Sequence, residues 1–152
     1  MNNYAAGISI VAFIICVTAS MAYYQFVYTK EANAKPQLPK EVLNPPDTGK
    51  VIIIEGSSQP SQQKNFEPKE IRGTLGLNNK IIWTNNDVTA HSVTSDNQFT
   101  DQINGPFNSI DSIGLVLPKK TYEFTFTKDG EYAYHCEPHP WMTGKVTIVK
   151  SF

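Results

Sequence analysis

From Thr121 to Thr127 the chain alternates without a break: Tyr122, Phe124 and Phe126 are aromatic, and Glu123, Thr125 and Thr127 are polar. Successive side chains of an extended backbone point to opposite faces, so a period of two demands a strand with one face buried. A lone strand or hairpin is marginal in water, so this one needs partners. The surrounding sequence supplies them. Asp129-Gly130 is a tight-turn signal. Glu131 to His135 and Gly144 to Val149 alternate again. Upstream, Val51-Ile52-Ile53-Ile54 within Lys50 to Glu55 reads as a fully buried or edge strand. Glu70 to Leu75 follows Pro68, and Lys80 to Thr84 stops at the turn cluster Asn85-Asn86-Asp87. His91 to Thr94 suits a short strand leaving that turn. No helical periodicity follows residue 50, so the expected class is all-β, a sandwich of two sheets. Trp83, Phe124 and Tyr132 are candidate core residues, and the face on which Tyr134 lies stays open. Residues 95–114 are polar, irregular and long for a hairpin, with room for a short helix or a partner-facing loop.

The first 29 residues obey a different logic. No Lys, Arg, Asp or Glu precedes Lys30, and residues 5–24 form an uncharged, largely apolar run. As a helix, ~20 residues span ~30 Å, the hydrocarbon thickness of a bilayer. Tyr23, Tyr24, Phe26 and Tyr28 suit an interfacial belt, and Lys30 can reach headgroups. A cleaved secretory signal is the rival: Ala32-Asn33-Ala34 has the small-x-small pattern, although the opening Met1-Asn2-Asn3-Tyr4 lacks a charged segment. Either reading places the remainder outside the cytoplasm. Residues 30–49 hold four of the ten prolines and read as an extended tether. The expected organisation is a membrane anchor or signal at 1–29, a Pro-rich linker at 30–49 and a β domain at 50–152. A net charge of −1 offers no broad basic surface, so no nucleic-acid partner is expected.

Of the two cysteines, Cys16 lies in the apolar run and Cys136 near the end of the chain, so a disulfide between them is excluded on placement. A lone cysteine in an exported domain points to metal or redox chemistry. Its company sharpens that reading. Cys136, His139 and Met142 fall within seven residues between two strand patterns, in a loop stiffened by Pro138 and Pro140. Thiolate, imidazole and thioether form a soft set that selects copper over calcium or magnesium. Zinc would take the Cys and His residues, but thioether suits it poorly. Two imidazoles and a thiolate in one plane with a weak axial Met describe a blue copper site. His91, following the Asn-Asn-Asp turn, is the candidate for the missing imidazole. His135 precedes Cys136 on a strand, so its side chain is expected on the opposite face.

The segment Tyr134-His135-Cys136-Glu137-Pro138-His139-Pro140-Trp141-Met142-Thr143-Gly144, together with the Trp83 strand and the position of His91, resembles the blue copper proteins, or cupredoxins. The C-x2-H-x2-M spacing is close to that of amicyanin. The resemblance implies a cupredoxin-like two-sheet Greek-key sandwich and one copper per chain, cycling between Cu(II) and Cu(I). It makes His91, Cys136 and His139 strong ligands and Met142 the axial one. It implies one-electron shuttling between redox proteins without substrate turnover, with electrons passing through the His139 ring and with Pro138, Pro140 and Trp141 as an apolar docking surface. Two positions depart from the family pattern. Ser92 stands where Asn often follows the first histidine and ties the two ligand loops together, and Glu137 stands where a small hydroxyl residue is common.

The expected function is thus one-electron transfer by a mononuclear type 1 copper centre. The carrier would be held by residues 5–24 on the extracytoplasmic side of the cytoplasmic membrane, or be secreted or periplasmic if cleaved. Its donor and acceptor would be membrane-bound redox proteins. An open-site copper oxidoreductase acting on a small molecule, and a copper delivery protein, are the alternatives.

Overall fold

The computed structural model describes residues 4–32 and 38–150, so the tripeptide Ala32-Asn33-Ala34 lies largely outside the described residues. The chain divides into two units, Met1–Pro36 and Gln37–Phe152.

The first unit is helical: α1 (Tyr4–Tyr23), a π-helical turn (Tyr24–Tyr28) and α2 (Thr29–Ala32). Ile10–Tyr28, with mean hydropathy 1.9, is long and apolar enough to cross a membrane. Two threonine hydroxyls of this unit bond back to its own backbone, as hydrocarbon surroundings favour. The Thr18 hydroxyl donates to the Ile14 carbonyl at 2.9 Å and the Thr29 hydroxyl to Gln25 at 2.6 Å.

The second unit opens with a short helix, α3 (Lys40–Leu43), followed by β1 (Thr48–Ile53), β2 (Phe66–Glu67), β3 (Glu70–Thr74) and β4 (Lys80–Asn85). Then come β5 (Thr94–Ser95), β6 (Thr100–Asp101), β7 (Gly105–Pro106), α4 (Ser109–Ile113), β8 (Thr121–Thr125), β9 (Gly130–Cys136) and β10 (His139–Val149). One sheet runs β2-β1-β4-β8, the other β3-β10-β9-β5. The β1–β4 and β3–β10 pairs are parallel; the other pairs within these two sheets are antiparallel. This is the mostly-β, two-sheet architecture expected of a cupredoxin, with an N-terminal apolar helix that is a candidate membrane span.

Alternation decides which side chains meet between the sheets. Val51, Ile53, Ile81, Trp83, Tyr122 and Phe124 come from one sheet, and Tyr132, Tyr134, Cys136, Met142, Val146 and Ile148 from the other. Tyr134 therefore faces inward. The Val51–Ile54 run is neither fully buried nor at an edge. It lies between β2 and β4, with Val51 and Ile53 inside and Ile52 42% exposed, because one face of its sheet meets solvent. His91 to Thr94 is not a continuous strand: His91 pairs only with Val116 in an isolated bridge, and β5 begins at Thr94.

The later part of the proline-rich segment belongs to the fold. The buried Asn79 amide donates to the carbonyls of Val42 at 2.8 Å and Phe126 at 2.7 Å, and Asp47 N–H donates to Leu77. These bonds pin α3 and the entry to β1 against the β3–β4 turn. The irregular stretch after β5 contains the hairpin β6–β7 and the short helix α4. Asn108 caps α4 by accepting from Ile110 N–H at 2.9 Å, and Phe107 is driven into the core. Burial alone would push the Asp101 carboxyl up. Bonds from the Thr127 hydroxyl and amide, and from the amides of Ile103 and Asn104, outweigh it and hold the carboxyl below its usual range.

Gly144 marks where β10 passes closest to the core. A methyl there would lie 2.4 Å from Tyr134 Cζ and 2.5 Å from its Oη. Tyr134 is fully buried and cannot yield freely. Gly144→Ala should cost ~1–3 kcal/mol through overpacking, read as a lower urea midpoint at constant m. A loss below ~0.5 kcal/mol, the scatter of surface substitutions, would show that the ring has room.

Candidate metal centre

Four candidate residues come from three places in the β domain. Cys136 ends β9 and His139 begins β10, facing one another as a ladder pair, after which the register is irregular up to Thr143. The expected 136–142 loop is thus tighter than its length implies. Met142 lies in that irregular stretch and is fully buried. His91 is held from the opposite sheet's turn. The Asn85 amide donates to the carbonyls of Thr89 and Val116, both at 2.8 Å, while its oxygen accepts from Asp87 N–H. The His91–Val116 bridge completes the anchor.

Cys136 Sγ lies 3.6 Å from His91 Nδ1 and 3.4 Å from His139 Nδ1, and one donor atom from each of the three residues lies within 4.8 Å of the others. Bonds of ~2.3 Å to sulfur and ~2.0 Å to nitrogen, opened to a trigonal angle, separate S from N by roughly 3.7 Å. The spacing therefore fits one ion held in a plane of two nitrogens and one sulfur. His91 and Cys136 are fully buried and His139 is half-buried, so one imidazole alone of these three approaches solvent.

Protonation follows from the surroundings. Burial pushes the Cys136 thiol up, despite the hydrogen bond it accepts from Ser92 N–H at 3.3 Å. Metal uptake must therefore displace a proton. Burial lowers the His91 pKa, which keeps the ring neutral as ligation requires, while the Asp87 hydrogen bond opposes that shift. Asp87 Oδ2 sits 2.8 Å from His91 Nε2. Placing the ring proton on Nε2 leaves the Nδ1 lone pair directed at the site. Burial would raise the Asp87 carboxyl, but hydrogen bonds from Gly56 N–H, His91, Val88 N–H and Ser58 N–H hold it at about 2.

The Ser92 departure has a structural answer. Its amide donates to the Cys136 sulfur, and its hydroxyl accepts from Glu137 N–H at 2.8 Å. Serine thus ties the two ligand segments together where the family often has Asn. The Glu137 side chain, like Pro138 and Pro140, is exposed. His135 turns to the outer face and pairs with Asp96. Trp141, expected on the surface, is 36% exposed, and its Nε1 donates to Ser57 O at 3.0 Å. Asp87 was legible only as part of a turn; its spacing of four residues before a candidate ligand histidine was the available signal. Ser57 carried none.

A family model described as copper-binding proteins of the plastocyanin/azurin family matches residues 56–149. Amicyanin from Paracoccus denitrificans is 31% identical over 84 residues, covering 55% of this chain and 57% of that protein. The minor chloroplastic plastocyanin isoform of Arabidopsis thaliana is 32% identical over 87 residues, covering 55% and 50%. The matched part thus spans between half and two thirds of these relatives. A structure titled as a novel purple cupredoxin from Nitrosopumilus maritimus aligns with TM-score 0.54 at 27% identity, covering 66% of this chain and 99% of that one. Three donor atoms gathered at copper-like spacing between two β-sheets, and a family match across that whole region, lead to one conclusion: the chain is a blue copper cupredoxin that belongs to the plastocyanin/azurin family and takes one copper ion.

Proposed function

We propose that this protein is a one-electron carrier, with His91 Nδ1, Cys136 Sγ and His139 Nδ1 as the strong copper ligands and the Met142 thioether as the weak axial one. Copper supplies a Cu(II)/Cu(I) couple when bound. The chain supplies a fixed cage. The observation that carries the reading is the contrast in exposure: His91, Cys136 and Met142 are fully buried, and His139 is half-buried. Three buried residues would shield a bound ion from water while His139 alone of the four meets solvent, which favours outer-sphere exchange over substrate binding. A cleft of about 500 Å³ lies beside β5 and β6, lined by His135, Glu137 and Asp96 but by none of the four ligands. That separation weighs against an open-site oxidoreductase.

Pro138, Pro140 and Trp141 around His139 form the docking surface for redox partners in this reading. Residues 5–24 tether the domain to the extracytoplasmic face of the cytoplasmic membrane, through the segment between residue 30 and β1. Confinement to a surface raises the effective concentration of membrane-bound donor and acceptor.

The test is the visible and electron paramagnetic resonance spectrum of the copper-loaded full chain in detergent, with and without azide. Strong absorption, unmoved by azide and accompanied by fast electron self-exchange, supports the carrier. A colourless protein that retains zinc against copper would sink it, and saturable azide shifts would favour the enzyme. Met142→Leu removes the thioether from a fully buried site while conserving volume. It should alter the charge-transfer spectrum and raise the reduction potential while leaving the fold intact. An unchanged spectrum would remove Met142 from the ligand set.

A further inference from the structure

We propose that Asp87 and Trp141 are positioning residues that lock the two imidazoles of the copper centre to each other through a third segment, Gly56–Ser58, which contributes no ligand. The inference rests on the copper assignment and is independent of which proteins exchange electrons with it.

The circuit can be followed bond by bond. The buried Asp87 carboxylate accepts at Oδ1 from Gly56 N–H at 3.0 Å and Val88 N–H at 2.8 Å. At Oδ2 it accepts from Ser58 N–H at 3.2 Å and lies 2.8 Å from His91 Nε2. Ser57 O accepts from Trp141 Nε1 at 3.0 Å. The Trp141 ring rests against His139 at a centroid distance of 5.4 Å, and the His139 ring against His91 at 4.8 Å. Ser57 C=O and Ser58 N–H belong to the same peptide group. One rigid planar unit is therefore held by the carboxylate on its N–H side and by the indole on its C=O side. Bonds at the two ends of one amide polarise each other, so loosening one weakens the other.

Each end holds a different imidazole segment. Asp87 is the partner of His91 Nε2, and its charge makes Nδ1 a stronger donor. Trp141 falls in the stretch after the His139–Cys136 pair and before Thr143 where the β9–β10 ladder is broken, so the sheet does not fix the residues that follow His139. The indole bond ties that stretch to the opposite sheet's loop. Gly56 adopts φ +85°, a conformation that favours glycine and lets two nearby amides converge on one carboxylate. Ser57 is fully buried, and its hydroxyl donates to Ile54 O at 2.6 Å, which keeps the bridging peptide in place.

The test is a double-mutant cycle on the copper-loaded full chain with Asp87→Asn, Trp141→Phe and both together. Phenylalanine keeps a ring against His139 but has no Nε1–H. Asp87→Asn should speed Cu(I) release to a chelator by roughly 10–100-fold, the range for losing an outer hydrogen bond to a ligand, and Trp141→Phe should speed it through the shared peptide. Asp87→Asn should also raise the reduction potential, because a charge that favours Cu(II) is gone. The double variant should release copper about as fast as the faster single variant. Release rates that multiply would overturn the proposal. Nuclear magnetic resonance of the Cu(I) form gives a second readout, and it carries the test alone if Asp87→Asn fails to fold. Trp141→Phe should shift both the Ser58 amide and the His91 Nε2–H resonances, although the indole is bonded to neither. If both stay in place, the bridge does not transmit and the proposal fails. A wild-type chain that takes up no copper would instead remove the centre itself.

Discussion

Serine in place of Cys136 should leave a copper-loaded protein without its strong visible absorption and with a far weaker hold on the ion. The thiolate is the one soft anionic donor in the site, and its charge transfer to Cu(II) gives the colour. A serine hydroxyl stays protonated near neutral pH and is a hard donor that copper prefers less. Cys136 Sγ stands 3.6 and 3.4 Å from the two imidazole nitrogens, so its replacement removes the only sulfur of that three-atom cluster. The fall in affinity should exceed the ~10–100-fold that follows from losing an outer hydrogen bond. Serine and cysteine are close in volume, and the Ser92 amide still finds an acceptor. Unfolding of the metal-free form should therefore change by only ~0.5–3 kcal/mol, the ordinary range for a single substitution. Absorption and paramagnetic resonance after copper titration check the first expectation, and urea denaturation of the apoprotein checks the second. An intact band in this variant would remove Cys136 from the centre.

The largest stability effect is expected in the aromatic core between the sheets. Trp83 is fully buried and packs against Phe107 and Tyr122, each at 5.6 Å, and Tyr134 at 5.5 Å between centroids. It joins the two sheets and the segment before α4. Truncation to alanine should cost ~3–5 kcal/mol. At roughly 4 °C per kcal/mol for a domain of this size, the apo midpoint should fall by roughly 12–20 °C. Thermal unfolding followed by circular dichroism measures this directly. A drop of a few degrees would mean that the surrounding rings collapse into the space. Copper bound to the folded state alone should restore part of the loss by mass action.

The two kinds of information, linear and spatial, divided cleanly. The strand from Thr121 was legible because aromatic and polar residues alternate, and β8 is where that pattern lies. Cys136, His139 and Met142 were legible because they share one loop. His91 was reachable because a turn cluster precedes it and the ligand set lacked an imidazole. What pattern could not supply was the wiring around these residues. Trp141 and Ser57 are separated by 84 positions, and no local periodicity marks a backbone carbonyl as an acceptor for a distant indole. Ser92 read as a departure, yet folding places its amide and hydroxyl where the two ligand segments meet. The prolines of residues 30–49 read as an extended tether, but Asn79 captures Val42 through a contact 37 positions away. The run Val51–Ile54 overstated burial because isoleucine favours strands on either face.

The order of the second sheet has a temporal consequence. β10 follows β3 and β9 along the chain yet is an interior member of their sheet, lying between them, and it carries His139 and Met142. Any process that delivers the polypeptide from its amino end, synthesis on a ribosome included, presents β3 and β9 while the place between them is vacant. Those two unsatisfied edges are the growing chain's exposure to misassociation. They close in the same event that brings His139 opposite Cys136. A polypeptide delivered only through β9 carries His91 and Cys136 but lacks His139 and Met142, so the four candidate ligands are complete only once β10 has arrived.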